Sequence, residues 1–303
     1  MSESVVVKIP ASTSNCGAGF DTLGMALGLY GSVRVTLRDD DKVTYSGQIT
    51  EFPQAAIDMV SEVGQRFASR IGKAATGFDF DIVSEVPIAR GLGSSVILRG
   101  GVLAGLNHFA GSPLSKDDQV ALISDIEGHP DNASAAILGG FTVARYCPES
   151  KQYMGTQKFD VSDAIDFVVV SPDLEIKTDD SRTTLPTEIA FPKVVSSLNS
   201  LSYLVAAFAS GNYAALSASR VDHIHEPYRL PNIPHASESI QAGIDAGAYT
   251  GWLSGSGSSL LCVTDASKSS EVRHAMEGAF EGKELTFSTR VLKACNQGVS
   301  IQG

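Results

Sequence analysis

The sequence predicts an α+β protein in two halves of similar size. Strand-like and helix-like segments are mixed along the 303 residues, of which 43% are apolar. A polar stretch at 147–160 separates a first set of elements from a second. A chain of this length can bury one large or two ordinary hydrophobic cores. We therefore expect two domains, at 1–155 and 156–303.

The elements of the first half follow from local patterns. Residues 5–9 and 33–37 are typical of strands, and residues 54–72 are typical of a helix. Aromatic and acidic residues alternate over 78–86, which predicts a third strand. Apolar residues then recur at helical spacing from Leu98 to Phe109.

The middle and second half continue the mixture of helices and strands. Ser115 is a plausible N-cap for a helix over 114–126, and Pro130 interrupts the helical pattern after it. A short helix at 133–138 leads to a strand that begins at Phe141. Beyond the polar stretch we expect strands at 167–170, 260–263 and 285–291, and helices at 194–220 and 269–281.

Composition limits the classes of partner and the compartment. The net charge is −11, and no run of Lys or Arg forms the basic surface that nucleic acids or anionic membranes require. No apolar stretch of about 18 residues predicts a membrane span, and the N-terminus lacks a signal-peptide pattern. The four cysteines are scattered without a CxxC pair, which is typical of reduced thiols. We expect a cytoplasmic protein.

The segment Pro87–Ser95 joins a predicted strand to a predicted helix through two glycines and two serines. Glycine lets the backbone approach an anion closely, and a helix N-terminus offers unpaired N–H groups and a positive dipole end. The hydroxyl of Ser95 could reach a phosphate or its metal. The same residues also suit a serine-capped tight turn. The Walker pattern is absent, because no Gly-Lys-Ser/Thr follows the glycines.

A second cluster, Glu127–Asn132, places two carboxylates, an imidazole and an amide within six residues. Mg²⁺ usually takes one or two protein carboxylates and shares the nucleotide phosphates. Glu127 at a helix end suits that role. Asp131 or Asn132 is equally suited to cap the next helix, and an isolated histidine such as His129 is often structural.

Two further glycine loops and two arginines complete the set. Asn15 and Asp21 flank flexible backbone at 10–21, where they suit either a small polar ligand or an Asx turn. The loop at 254–259 lies between apolar segments, so a tight turn that closes over an anion or supports the first loop is favoured over a linker. Arg182 and Arg229 could hold a carboxylate bidentately, although either is also typical of a surface.

Together these segments resemble the GHMP small-molecule kinases and, within them, the homoserine kinases. The stretches 10–21, 87–95 and 253–259 are similar to the three GHMP glycine motifs. Three further features are more particular to the homoserine kinases, namely the 127–132 cluster, the set Thr178, Arg182, Leu185 and Pro186, and the 225–229 run.

The resemblance implies a fold and an activity. It implies a two-domain GHMP kinase fold, with an N-terminal ribosomal-S5-domain-2-like ATP domain and a C-terminal ferredoxin-like α/β sandwich. The N-terminal domain would contain a left-handed βαβ crossover, an exception to the usual hand. The activity implied is ATP-dependent phosphorylation of the side-chain hydroxyl of L-homoserine in threonine biosynthesis, with Mg²⁺. A homodimer is also suggested.

The resemblance further assigns roles to residues, without a dedicated strong base. Catalytic roles are assigned to Glu127, Asp131 and Asn132, and metal binding to Ser95 and Glu127. Substrate binding is assigned to Asn15, Asp21, His129, Thr178, Arg182 and Arg229. ATP binding is assigned to Pro87, Arg90, Gly91, Leu92, Gly93, Ser94, Ser95, Ser254, Gly255 and Gly257.

Val96, Ile97 and Arg99 depart from the small or apolar residues usual in the family. Their bulk predicts a narrower nucleotide pocket or a changed nucleotide preference. Two alternatives to the homoserine reaction therefore stay open. One is a GHMP kinase for another small hydroxylated amino acid or carboxylate, and the other is a non-catalytic ligand sensor on the same fold.

Overall fold

Two β-sheets and the helices that cover them make up the structure, a computed structural model that describes residues 3–302, except for the side chain of Asp179. The strands are β1 (Ser4–Ser14), β2 (Leu23–Leu37), β3 (Val43–Tyr45), β4 (Phe78–Ser84), β5 (Phe141–Cys147), β6 (Gln152–Phe159), β7 (Ile165–Pro172), β8 (Thr250–Leu253), β9 (Leu260–Asp265), β10 (Phe287–Leu292) and β11 (Ser300–Gln302). The α-helices are α1 (Gln54–Arg70), α2 (Ser94–Phe109), α3 (Lys116–Glu127), α4 (Asp131–Leu138), α5 (Thr178–Thr183), α6 (Phe191–Ser210), α7 (Glu226–Arg229), α8 (Ala236–Asp245) and α9 (Ser269–Gly278).

The first sheet is built around the long antiparallel pair β1–β2. Its main path runs β11-β1-β2-β4-β3, and β5 joins β2 at Leu23–Met25 and carries β6 on its other side. Only the β3–β4 pairing is parallel among those described for this sheet. Both β1 and β2 are longer than the predicted strands, because residues 11–14 pair with residues 24–27 beyond a register shift at Pro10.

The second sheet has the order β10-β7-β9-β8. Along the chain its elements run strand, helices, strand, strand, helix and strand, which is the split βαβ arrangement of ferredoxin-like folds. Helices α8 and α9 pack against each other and against this sheet. The predicted C-terminal sandwich is confirmed.

Strand β7 joins the cores of the two halves. All eight of its residues are buried. Phe167 and Val169 belong to a core shared with β1, β2 and α2, whereas Val168 and Val170 face a second core under α8 and α9. Alternate side chains of one strand therefore serve different layers, as the two-residue period of a strand requires.

The polar stretch at 147–160 is not simply a linker. It contains β6, which forms a hairpin with β5, and residues 155 and 156 both lie inside that strand. After the second sheet the chain returns to the first, where β11 pairs with β1. The division at 155/156 stays a prediction. Among residues 3–302, no helix is both long and apolar enough to cross a membrane.

Helix α2 lies close to the first sheet because three of its positions have no side chain. A Cβ on Gly100, Gly101 or Gly105 would come within 2.8 Å of Ile9, Val33 or Val35 respectively. The absence of these side chains lets the helix that follows the 87–95 loop pack closely against β1 and β2.

Val96 and Ile97 belong to the same packing. Both are buried in the shared core, and Ile97 lies where a Cβ on Gly31 would meet its Cγ2 at 2.4 Å. The expectation that these two side chains narrow a nucleotide pocket is therefore wrong. The bulk of Ile97 is accommodated by Gly31 of the facing strand β2.

Candidate active site

Three loops that are far apart in sequence meet at one place. Thr13 Oγ1, at the end of β1, accepts hydrogen bonds from Trp252 Nε1 at 3.0 Å and from Ser254 Oγ at 2.8 Å. Ser254 Oγ also lies 2.7 Å from the carbonyl oxygen of Gly91. The backbone adds a bond from Gly255 N–H to the carbonyl of Ser14. The glycine segments predicted from the sequence are thus brought together by direct contacts.

The 91–95 loop presents a helix N-terminus without a competing side chain. Gly91 and Gly93 both have φ of 73°, where a Cβ is disfavoured. Gly93 is the N-cap of α2, no side chain caps the helix there, and the first turn carries no acidic residue. The first N–H groups and the positive dipole end of α2 therefore suit an anion.

The residues predicted to bind ATP fall into two groups by position. Gly91, Gly93, Ser94 and Ser95 lie on the partly exposed side of the loop, and Pro87 precedes it in similar exposure. The Leu92 side chain is buried in the core, so only its backbone faces the loop.

The others lie beside or beneath that loop. Arg90 directs its guanidinium to Asp173 Oδ1 at 2.6 Å and to Glu175 at 3.7 Å. Ser254, Gly255 and Gly257 are buried, and a Cβ on Gly91 would approach the Ser254 carbonyl oxygen at 2.0 Å. The third loop is therefore placed to support the first one.

The predicted metal ligands Ser95 and Glu127 are in direct contact. Ser95 Oγ donates to Glu127 Oε1 at 2.8 Å, and Arg99 Nη1 donates to the same oxygen at 2.6 Å. The second carboxylate oxygen, Oε2, is buried and accepts no hydrogen bond from any group that the structure describes. A hydroxyl and a carboxylate with an unused oxygen are the hard oxygen donors that Mg²⁺ prefers, so these residues fit that ion.

A cluster of opposite charges lies next to this pair. Asp21, His129 and Asp131 offer ligand atoms within 4.8 Å of one another, and His129 Nδ1 lies 2.9 Å from Asp131 Oδ1. Burial lowers the pKa of His129, but attraction to and hydrogen bonding with Asp131 outweigh it and raise the pKa to about 9. Burial raises the pKa of Asp131, and the His129 charge reverses this and lowers it. The cluster is therefore a buried ion pair flanked by a second carboxylate.

The two predicted asparagines bridge separate segments. Asn132 Oδ1 accepts from Ser12 Oγ at 2.9 Å, and Asn132 Nδ2 donates to Ser14 Oγ at 3.0 Å. Asn15 Oδ1 accepts from the Asp21 N–H, while its Nδ2 donates to the Gly255 carbonyl. The Asn15 amide thus connects the first and third glycine loops.

Arg182 and Arg229 converge on one aromatic ring. Each guanidinium carbon lies 5.2 Å from the centroid of the Phe20 ring, within the range of cation–π contacts. Arg182 also makes a bidentate pair with Asp21, at 2.6 and 3.0 Å. Arg229 is buried, donates to the Gly255 carbonyl at 3.3 Å, and its Nε has no partner among the described residues.

The electrostatic surroundings of Arg229 are unusual for an arginine. Burial lowers its pKa, and the positive charge of Arg182 lowers it further, to about 10. A buried cation with an unpaired N–H beside a second cation favours an anionic ligand. The neighbouring His225 is fully buried beneath Phe20 and donates through Nε2 to the Gly17 carbonyl at 2.8 Å.

Thr178 is the most peripheral of the predicted site residues. It is exposed at the first position of α5, the short helix that carries Arg182 near its end. Ser181 Oγ lies 3.5 Å from the Ser256 carbonyl oxygen, which connects α5 to the third glycine loop. Thr178 is thus connected to the charged cluster only through the helix that it shares with Arg182, among the contacts described.

Several residues of the site were assigned no binding or catalytic role by the predictions. They are Ser12, Thr13, Ser14 and Phe20, together with Arg99, which was noted only for its bulk, and His225, which was noted only as part of the 225–229 run. Serine and threonine in a glycine loop are too common to be singled out, and Phe20 gains its role only from two arginines more than 160 positions away. Arg99 carried a usable signal, because a charged residue interrupts an otherwise apolar helix.

Comparison with known proteins agrees with this arrangement. Residues 55–140 match the family described as the GHMP kinases N terminal domain, and residues 204–282 match GHMP kinases C terminal. A homoserine kinase of Moorella thermoacetica is 31% identical over 98% of this chain and 99% of its own length. Homoserine kinases of Carboxydothermus hydrogenoformans and Microchaete diplosiphon are each 35% identical, covering 91% and 98% of this chain and 90% and 97% of their own lengths.

Solved structures agree as well. The crystal structure of homoserine kinase from Cytophaga hutchinsonii superposes with a TM-score of 0.89 and 26% identity, covering 100% of this chain and 98% of its own. The GHMP fold expected from the three glycine segments is thus confirmed. The chain belongs to the GHMP kinase family and, within it, to the homoserine kinases.

Proposed function

We propose that this protein transfers the γ-phosphoryl group of ATP to the side-chain hydroxyl of L-homoserine, with Mg²⁺. The convergence of Arg182 and Arg229 on Phe20, next to the acidic cluster around Asp21, is the observation that supports it most directly. A free amino acid carries one charge of each sign, and this site offers a partner of the opposite sign for each.

The phosphate end is assigned to the 91–95 loop. Its left-handed glycines and the N-terminus of α2 offer backbone donors to the phosphates, while Ser254 contacts the loop at the Gly91 carbonyl. Ser95 and Glu127 would hold Mg²⁺, which neutralises charge on the phosphates when bound. The free Oε2 atom of Glu127 supports this assignment.

The amino-acid end is assigned to the charged cluster. The substrate ammonium group would be accepted by Asp21, with Asp131 and His129 behind it, and its carboxylate by Arg182 and Arg229. We propose that the substrate replaces part of the Asp21–Arg182 pair and that its methylene groups lie on Phe20. Asn15 and Thr178 would complete the pocket from the first loop and from α5.

We assign the reaction at the substrate hydroxyl to orientation of that group by hydrogen bonds and not to a strong base. Asn132 is held between Ser12 and Ser14, and Asp131 is committed to His129 and to the N–H of residue 132. Neither group is free to act as a strong base. Phosphoryl transfer depends mainly on alignment and charge neutralisation, so positioned hydrogen bonds can supply what is required.

The test is a coupled assay for ADP release with L-homoserine, ATP and Mg²⁺. We expect turnover with L-homoserine and a lower kcat/KM for L-serine, L-threonine and hydroxy acids that lack the amino group. The protein should be checked as folded by Trp252 fluorescence, and a known kinase run alongside. Absence of turnover above background would reject the proposal, and a better substrate in the panel would redirect it.

The same assay separates the two alternatives. A kinase for another hydroxylated amino acid or carboxylate would turn over a different member of the panel. A ligand sensor would bind ATP and an amino acid without ADP release. The intact contact between Ser95 and Glu127 favours the enzyme.

We also propose that the protein forms a homodimer through the outer face of α6. Phe191, Val195 and Leu198 lie one or two turns apart there, and their exposures are 78%, 40% and 53%. The helix carries a single charged residue, Lys193. Copies with a net charge of −11 repel each other, so an apolar surface without acidic groups favours self-association.

Sedimentation velocity tests the dimer. Leu198→Asp should shift the protein to a monomer, because it places a charge in the apolar contact. Met154→Asp is the matched control, since Met154 is similarly exposed, at 55%, on β6. A monomeric unaltered protein, or equal effects of the two substitutions, would reject α6 as the interface.

A further inference from the structure

Arg99 places a positive charge next to Glu127, the carboxylate assigned to the metal. It lies one helical turn after Ser95 in α2, and both side chains reach Glu127 Oε1, at 2.6 and 2.8 Å. The Arg99 and Glu127 side chains are largely enclosed, with 17% and 4% of their surfaces exposed. Arg99 is therefore part of the site and not of the outer surface.

The Arg99–Glu127 pair is incomplete as a structural ion pair. A bidentate arginine–carboxylate contact uses both carboxylate oxygens. Here only Oε1 is used, while Glu127 Oε2 and Arg99 Nε are both buried without a hydrogen-bond partner in the described part of the chain. Buried polar atoms without partners are costly. The arrangement leaves one oxygen available to a second cation and one N–H available to an anion.

We propose that Arg99 is an internal counter-ion of Glu127 that opposes metal binding in the free protein and lets the metal enter together with the nucleotide. This rests on the proposed nucleotide and metal site. The Arg99–Glu127 pair has no net charge, and a divalent ion that approaches Glu127 Oε2 meets a guanidinium whose Nη1 lies 2.6 Å from the other oxygen of the same carboxylate.

The nucleotide changes this balance. Its phosphates bring several negative charges of their own, and the unpaired Nε of Arg99 is a suitable donor for a phosphate oxygen. Arg99 then faces phosphate as well as Glu127, and its repulsion of a metal ion at Glu127 Oε2 is reduced. Arg99 is on this account a positioning residue, which acts on the metal through Glu127.

Binding of Mn²⁺, a spectroscopic substitute for Mg²⁺, tests the proposal without turnover. Free Mn²⁺ can be followed by electron paramagnetic resonance during titration of nucleotide-free protein. Arg99→Met should bind Mn²⁺ about tenfold more tightly than the unaltered protein, because the repelling charge is gone. Arg99→Lys keeps that charge and should keep the weak binding.

Two further variants locate the effect. In the Arg99→Met background, Glu127→Gln should abolish the gain, which separates this site from the Asp21, His129 and Asp131 cluster. Arg66→Met removes one positive charge from an exposed position of α1 and should leave Mn²⁺ affinity unchanged. With a non-hydrolysable ATP analogue present, Arg99→Met should lose its advantage over the unaltered protein.

The outcomes are decisive in both directions. Unchanged Mn²⁺ affinity in Arg99→Met, or a gain that survives Glu127→Gln, would overturn the proposal. If Arg99→Met fails to fold, as judged by Trp252 fluorescence, Arg99→Gln carries the same expectation. The titration requires no homoserine, so a failure of the proposed reaction would appear in the ADP assay and leave this result readable.

Discussion

At the scale of single residues, the two arginines around Phe20 differ in how their charge is balanced. Arg182 is paired with Asp21 through both amino groups, whereas buried Arg229 donates to one backbone carbonyl and keeps an unpaired Nε. The lowered pKa of Arg229 reflects burial first and Arg182 second. Arg229 therefore gains most from an anionic ligand.

Loss of Arg229 should weaken binding of the amino-acid substrate. We expect Arg229→Met to raise the KM for L-homoserine by about 10- to 100-fold, since a hydrogen bond to a charged group contributes about 1.5–3 kcal/mol. The KM for ATP should change little. Arg220→Met is the control, because Arg220 donates only to the backbone carbonyls of Ala248 and Tyr249 among the contacts described for it. A larger rise in the KM for ATP than in the KM for L-homoserine would contradict the assignment of Arg229 to the amino-acid substrate.

Buried Glu226 should make stability depend on pH. Burial raises the pKa of this carboxyl from 4.5 to about 8, although the Leu253 N–H donates to its Oε1. The folded state therefore holds a proton that the unfolded chain releases between these two values. The free energy of unfolding should fall as pH rises from about 5 to 8, by at most about 1.4 kcal/mol per pH unit for one proton.

Glu226→Gln should flatten this profile, because an amide does not titrate and its oxygen can still accept from Leu253. Urea unfolding of both proteins at three pH values across this window measures the difference. Equal slopes in the two proteins would show that Glu226 is already ionised in the folded state.

At the scale of elements, local sequence signals identified six helices but missed α5, α7 and α8, and they missed several strands. Helix α3 begins where predicted, since Ser115 and Asp118 form a complete capping box within four residues. Strand β6 was hidden in a polar stretch because its solvent-facing pattern resembles a loop. Strand β11 has three exposed residues, and only its distant partner β1 defines it.

The residues of the site also fall into two groups, those that local sequence motifs identify and those that only the complete fold identifies. Glycine loops and the 127–132 cluster carry compact motifs, so they could be found and matched to a family. The roles of Thr13 and Phe20 depend on Trp252, Arg182 and Arg229, which are brought near only by the complete fold. No local pattern encodes a contact of that range.

The start of α2 should tolerate no side chain at Gly93. A Cβ there would lie 2.2 Å from Ser12 Oγ, which donates to Asn132. Gly93→Ala should therefore weaken nucleotide binding at least about tenfold, through strain of about 1–3 kcal/mol at positive φ and the displaced serine. Gly111→Ala, just beyond the other end of α2, also has positive φ but meets nothing within 4 Å.

Calorimetric titration with an ATP analogue compares the two alanine variants. Gly111→Ala should lose stability without losing nucleotide affinity. Equal affinities in both variants would contradict the assignment of this loop to the phosphates.

At the scale of the whole molecule, the two sheets are joined through the site itself. Thr13 belongs to the first sheet, Trp252 to the second, and Ser254 contacts both Thr13 and the 91–95 loop. The shared core that includes Phe167 and Val169 runs beneath this junction. The chain contains one tryptophan, so Trp252 fluorescence reports on the junction directly.

Thr13→Val should weaken the junction while preserving shape. It leaves the buried Trp252 N–H without its acceptor, which costs about 1–3 kcal/mol. Urea unfolding followed by Trp252 fluorescence measures this loss. Thr22→Val is the control, because the only contact described for the Thr22 side chain is its hydrogen bond to the nearby Phe20 carbonyl. Similar losses in the free energy of unfolding in both variants would show that the Thr13–Trp252 hydrogen bond adds nothing to stability.

The hydrogen bonds that join the three glycine loops have a consequence for how the chain exchanges its amide hydrogens. A nucleotide held by the 91–95 loop binds only when both sheets are assembled, and at 100 times its Kd it adds about 2.7 kcal/mol to global stability. Protection should therefore rise by about 100-fold in any amide that exchanges only through global unfolding. The interior of β7 and the facing turns of α8 and α9, on the opposite face of the second sheet, would then record nucleotide binding from a distance.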